Sequence, residues 1–67
     1  MPSNNNLRDY RKKMKMLQKE LSKISGVSQV TISFIETGIV RKPLESTKQA
    51  LAYALGVDLQ TLFPRSR

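Results

Sequence analysis

The stretch GVSQVTISFIETG, residues 26–38, decides the fold of this chain. Its β-branched residues and its alternation of apolar and polar positions favour a strand only weakly. Ser28 is a good helix N-cap, and glycines such as those that flank the stretch commonly end helices. We therefore predict a helix from about Ser28 to Glu36. If Val27, Ile32 and Ile35 face inward, the outer side carries mostly small polar residues: Gln29, Val30, Thr31 and Ser33.

Four further helices are predicted, at about residues 7–14, 18–25, 44–55 and 59–63. Their apolar residues recur at helical spacing. Asn6 and Asp58 are expected to cap the first and the last helix, and Gly56 to end the fourth. The predicted fold class is all-α, with five helices in one domain that spans residues 1–67. A flexible tail is expected at residues 1–5 and a basic tail at residues 64–67.

The predicted core consists of apolar residues on the inner faces of these helices: Leu7, Leu21, Ile24, Val27, Ile32, Ile35, Leu51, Leu55, Leu59 and Leu62. Phe34 falls on the outer half of the third helix. It would either pack against the fourth helix or touch a ligand at the surface.

The charge balance indicates a polyanionic partner. The chain has 67 residues, with 12 lysines and arginines against five acidic residues, a formal charge of +7 and a pI of about 10.3. Such an excess in one small domain is typical of nucleic-acid binding. The alternative is a charge excess that serves solubility alone.

The chain has no cysteine and no histidine. Disulfides, thiolate zinc sites, imidazole metal sites and nucleophile–histidine pairs are therefore excluded. Its few carboxylates are scattered, so no acid–base constellation is evident. We expect no enzyme activity, metal, cofactor or small-molecule ligand. No apolar run approaches the ~18 residues of a membrane span, and the N-terminus lacks a signal-peptide pattern. We therefore expect no membrane association and a cytoplasmic location.

Two short helices, a tight turn ending in glycine and a third helix with a polar outer face describe a helix-turn-helix. The segment QKELSKISGVSQVTISFIETG, residues 18–38, resembles that motif in the lambda-repressor/Cro family. Eight spaced positions match the family pattern: Gln18, Leu21, Gly26, Val27, Ser28, Ile32, Glu36 and Gly38. The later segment ALAYALGVDLQTLF resembles the family's fourth and fifth helices, so the resemblance covers roughly residues 7–63.

The chain departs from the family pattern beside the second helix. Leu17 stands where the family usually has serine, threonine or asparagine, which removes a cap worth about 1 kcal/mol. Lys15 stands where glycine often ends the first helix. Three further departures leave the DNA-binding elements intact: Ser22 for alanine, and Lys48 and Gln49 for leucines.

The resemblance implies that the third helix lies in the major groove of double-stranded DNA with its N-terminal residues at base edges. The implied base contacts are Ser28, Gln29, Val30, Thr31 and Ser33. Gln29 could pair with adenine, and Val30 and Thr31 could meet a thymine methyl. Ser28 could instead be a cap alone, and Phe34 could touch DNA sugars.

The implied phosphate contacts are Gln18, Arg41, Lys42 and Lys15. Gln18 begins the second helix, where backbone amides also favour an anion. Lys12 and Lys13 either extend this set of phosphate contacts or form a solvated face. The same two alternatives stand for Lys19 and Lys23.

Arg11 and Glu36 match family positions that form a partly buried ion pair. Arg11 lies on the apolar face of the first helix, where an unpaired cation would be costly. A phosphate contact by Arg11 is the alternative.

The resemblance implies a transcription regulator, most simply a repressor that binds a near-palindromic operator as a homodimer. The dimer contact is expected near Val57 and Leu59. The alternative is an interaction module, such as an antitoxin or a bridging factor, whose main partner is another protein.

Overall fold

The computed structural model describes residues 5–64, which form an all-α domain of five helices with no strand among them. In chain order the helices are α1 (Leu7–Lys13), α2 (Gln18–Ser25), α3 (Gln29–Thr37), α4 (Glu45–Leu55) and α5 (Leu59–Leu62). The predicted fold class is confirmed, and each predicted helix is present to within one residue at either end. The predicted tails fall outside the described residues, except for Asn5 and Pro64.

The ends of α3 follow the chemistry that the sequence indicates. Ser28 is the N-cap, and its Oγ accepts a hydrogen bond of 3.1 Å from the backbone N–H of Thr31. Gly38 follows the helix with φ +88°, in the left-handed region that glycine adopts without strain. These two residues set the length of α3 and therefore which of its residues face outward.

The predicted side-chain caps of α1 and α5 are wrong. Asn6 and Asp58 occupy the N-cap positions, but neither makes a side-chain cap hydrogen bond. The side chain of Asn6 instead donates to the carbonyl of Thr61 at 2.9 Å, and its backbone N–H donates to the carbonyl of Leu62 at 2.9 Å. Asn5 supplies the local contact, because its Oδ1 accepts from the N–H of Leu7.

The connection between α1 and α2 is a tight C-terminal turn with lysine at its left-handed position. Lys15 has φ +56°, the one positive φ at a non-glycine residue between positions 5 and 64. The N–H of Lys15 bonds the carbonyl of Lys12, and the N–H of Met16 bonds that of Arg11. This is the Schellman pattern, in which glycine usually takes the position that Lys15 holds here.

The core lies where α1, α2, α3 and α4 meet, and it is closed by α5. Its buried apolar residues are Leu7, Leu21, Ile32, Ile35, Leu51, Ala52, Leu55 and Leu62. Val27 and Leu59 pack against this cluster while partly exposed, and Ala52 was not anticipated.

Ile24 is not a core residue, contrary to expectation, since it is 59% exposed. It lies three residues after the buried Leu21, so it is rotated by about 60° around the axis of α2. That rotation is enough to place it on a flank of α2 outside the buried cluster.

Candidate nucleic-acid interface

The N-terminal half of α3 is exposed. Ser28, Gln29 and Val30 are exposed, and Val30 keeps 61% of its surface accessible although it is apolar. Thr31 and Ser33 are half-buried. Packing of α3 through Ile32 and Ile35 leaves these five predicted base-reading residues along and beside the outer face of the helix. The arrangement presents one long amide side chain and several short side chains to a groove that is wide enough to admit a helix.

Part of this surface is already hydrogen-bonded within the protein. The hydroxyl of Ser28 accepts from the Thr31 N–H and donates to the Thr31 hydroxyl at 3.1 Å. Ser28 is therefore a cap first, and it orients the hydroxyl of Thr31. Gln29 is the longest polar side chain of the exposed set, so it has the greatest reach.

A buried polar cluster lies beneath the start of α2. Arg11 Nε donates to Glu36 Oε2 at 2.6 Å, and Arg11 Nη2 donates to Glu36 Oε1 at 3.0 Å. Arg11 is only 8% exposed and Glu36 only 6%. Arg11 Nη1 also donates to the Met16 carbonyl at 2.7 Å. The guanidinium thus joins α1, the end of α3 and the connection to α2.

The electrostatics of this cluster favour the charged arginine. The hydrogen bond that Arg11 donates to Glu36 raises the pKa of Arg11 above its ordinary value, against the opposing effect of burial. No buried side-chain nitrogen or oxygen within residues 5–64 lacks a hydrogen-bond partner. A bidentate, satisfied pair of this kind is costly to break from one side, because the remaining charge is left buried.

Gln18 belongs to the same cluster. Its Nε2 donates to Glu36 Oε1 at 3.0 Å, a contact that the sequence did not reveal. Glu36 therefore accepts from both Arg11 and Gln18. One amide hydrogen and the amide oxygen of Gln18 remain beyond this bond, beside the exposed N-terminal turn of α2. The side chain predicted to touch phosphate is thus held in position by the carboxylate of α3.

The predicted phosphate-binding cations are all exposed. Lys15 lies three residues before Gln18, and Arg41 and Lys42 lie in the connection between α3 and α4. The cations therefore lie on both sides of α3 in the chain. Lys12 and Lys13 are exposed as well, and Lys13 Nζ lies 4.6 Å from the centre of the Tyr10 ring.

Phe34 is 41% exposed. It lies on the outer part of α3, and its backbone carbonyl accepts from the N–H of Val40 in the loop that follows. Within the described residues, no group of three or more histidine, cysteine, aspartate or glutamate side chains could hold a metal ion. No helix within residues 5–64 is both long enough and apolar enough to cross a membrane.

Helices α2 and α3, the glycine turn between them and the exposed start of α3 define the class as a helix-turn-helix DNA-binding domain. A family model described as helix-turn-helix matches residues 7–62. The chain belongs to this family, whose members are of the lambda-repressor type. No curated protein matches the chain. The family makes the protein a DNA-binding helix-turn-helix regulator.

Proposed function

We propose that the protein is a sequence-specific repressor that binds a near-palindromic operator as a homodimer. The observation that supports this most directly is the exposed amide of Gln29 at the start of α3, beside the exposed Val30. In the docking geometry of helix-turn-helix domains, the N-terminal residues of this helix contact base edges. The protein would act in the cytoplasm, at the nucleoid.

In this proposal, base discrimination comes from α3 and orientation from its surroundings. Gln29 pairs with adenine through N6 and N7, and Val30 and the Thr31 methyl contact thymine methyl groups. Ser33 lies one turn after Gln29 on the same face. Ser28 caps α3, and its contact with DNA is secondary to that role.

Phosphate contacts would position the domain. Gln18, held by Glu36, would donate to a phosphate at the N-terminus of α2, where the backbone N–H groups point outward. Arg41, Lys42 and Lys15 would bind phosphates on either side of the major groove. The formal charge of +7 supports a large salt-dependent contribution to affinity.

The proposed dimer contact lies near Val57, in the α4–α5 connection, and Leu59, at the start of α5. Both residues are half-buried and pack against the core of their own chain. Only part of each side chain remains exposed for contact with a second protomer. Such a small contact is consistent with a homodimer that forms fully only on DNA.

The test is a binding selection from a random duplex library, with wild type and Gln29→Ala at matched salt. Gln29→Ala should cost about 1–3 kcal/mol on the selected site and relax the preference at one base pair. Gln49→Ala, which truncates an exposed glutamine on α4, is the matched control and should keep the wild-type preferences.

Identical base preferences in wild type and Gln29→Ala would move the discrimination to Thr31 or to DNA shape. A library that yields no enriched sequence would contradict sequence-specific binding. It would leave an interaction module, such as an antitoxin or a bridging factor, as the second candidate.

A further inference from the structure

A shallow open groove of about 410 Å³ lies beside the α1–α2 connection. Six residues line it: Met14, Lys15, Met16, Glu20, Lys23 and Ile24. Three of them are apolar, and they come from the end of α1, the connection and the end of α2. No role in binding DNA bases accounts for a surface of this composition.

Two of the three apolar residues of the groove are exposed, and the third, Met16, is half-buried against the core. Met14 is 48% exposed and Ile24 is 59% exposed. Isolated exposed apolar residues are ordinary, but here Met14 and Ile24 share one concave surface with charged residues around it. Methionine is also the side chain that adapts most readily to different apolar partners.

The charges around the groove favour an acidic occupant. Lys15 and Lys23 are exposed at its rim. Glu20 is the one acid among the six lining residues, and its Oε1 accepts from the Leu17 N–H at 2.8 Å. A second copy of this chain, with a formal charge of +7, would bring lysines against lysines. Charge complementarity therefore favours another protein of opposite charge.

The groove lies on the opposite side of α2 from α3. Gln18 faces α3, because it bonds Glu36 there. Glu20 follows two residues later and is rotated by about 200° around the axis of α2. A ligand in the groove would therefore leave the outer face of α3 accessible, so DNA and the ligand could bind together.

We propose that this groove binds an acidic amphipathic helical segment of another protein. Apolar residues of the segment, spaced i, i+3 or i+4, and i+7, contact Met14, Met16 and Ile24. Its aspartates and glutamates face Lys23, because Lys15 is assigned to a DNA phosphate. The domain then recruits a partner protein while it occupies DNA, a role beyond sequence recognition itself.

The probe is a displayed library of random 15-residue peptides, selected on the full wild-type chain. We expect the enriched peptides to carry net negative charge and apolar residues at helical spacing. The affinity of the best peptide should fall at least 10-fold with Ile24→Glu, several-fold with Lys23→Glu and further as salt rises. Tyr53→Glu, at an exposed position outside the groove, is the matched control and should leave peptide affinity unchanged.

Circular dichroism and affinity for random duplex DNA are measured on each variant, because both should be retained when Ile24 is changed. No enrichment, enrichment of neutral or basic peptides, or equal peptide affinity of wild type and Ile24→Glu would overturn the proposal. So would a proportionate loss of DNA affinity in Ile24→Glu, since the groove would then belong to the DNA interface. Failure of sequence-specific DNA binding would appear in a different experiment, the selection from the random duplex library.

Discussion

Arg11 contacts two elements beyond its own helix through one side chain. Removing either Arg11 or Glu36 leaves the other charge buried, so Arg11→Met or Glu36→Gln alone should cost about 3–5 kcal/mol. The double variant should cost clearly less than the sum, and urea denaturation of all four proteins measures the coupling. The matched control is the surface pair of the half-buried Lys48 and the exposed Glu45, 3.3 Å apart, whose coupling should stay below about 1 kcal/mol. Additive effects at Arg11 and Glu36 would contradict a coupled pair.

The same pair should be insensitive to moderate alkali. Glu36 raises the pKa of Arg11, so the stabilisation is fully present below the ordinary pKa of arginine. It is lost only as pH rises through the higher pKa of the folded state. The coupling energy measured at about pH 7 should therefore persist at about pH 9, and a marked fall between these values would contradict this assignment.

At the scale of residues, the sequence predicted opposite charges on inward faces at positions 11 and 36, but not the third member of the cluster. An exposed helix start normally directs a glutamine to solvent, and the bond from Gln18 to Glu36 depends on how α2 and α3 pack. Ile24 was misassigned for a similar reason. Helical spacing placed it near the inner face, whereas the position of the neighbouring helices decides which flank is covered.

Among the elements, the turn that ends α1 carries strain that a substitution can remove. Lys15 has φ +56°, where a side chain is disfavoured and glycine is not. Lys15→Gly should raise the free energy of unfolding by up to about 1 kcal/mol. Lys15→Ala is the matched control, because it removes the same charge but keeps the Cβ atom. Equal thermal stability of these two variants would show that the turn stores no strain.

The bounds of the helices could largely be predicted from local chemistry. Ser28 and Gly38 act within a few residues, so they set the ends of α3 as the sequence indicates. The sequence does not predict when a capping side chain bonds a distant residue instead of its own helix. Asn6 lies at the N-cap of α1, but its amide is used by the carbonyl of Thr61, 55 positions away. No local pattern encodes that competition.

For the whole molecule, salt dependence reports how many phosphates the domain neutralises. Arg41→Ala and Lys42→Ala should each weaken binding to selected and random duplexes alike. Each should reduce the log–log salt slope by about 0.9 if it contacts one phosphate. Lys48→Ala, on α4 beside Glu45, is the control and should keep the wild-type slope. An unchanged slope in Arg41→Ala or Lys42→Ala would remove that residue from the interface.

The symmetry of the complex is a second property of the whole molecule. A homodimer should protect two half-sites whose centres lie about 34 Å apart, one helical turn of DNA. Footprinting on the selected operator measures this directly, and an operator with one half-site scrambled should bind much more weakly. Protection of a single asymmetric half-site would contradict a two-fold pair near Val57 and Leu59.

The two hydrogen bonds of Asn6 have a mechanical consequence. Its backbone N–H and its side-chain amide both reach carbonyls at the end of α5, so the start of α1 and the end of α5 are fastened to each other. A force that pulls the two ends of the domain apart would act on these two hydrogen bonds before it acts on the packed helices. Once they part, α5 has only four residues with which to hold its place. Traction across the ends would therefore release α5 first, whereas the bonds from Arg11 to Glu36 would keep α1 attached to α3.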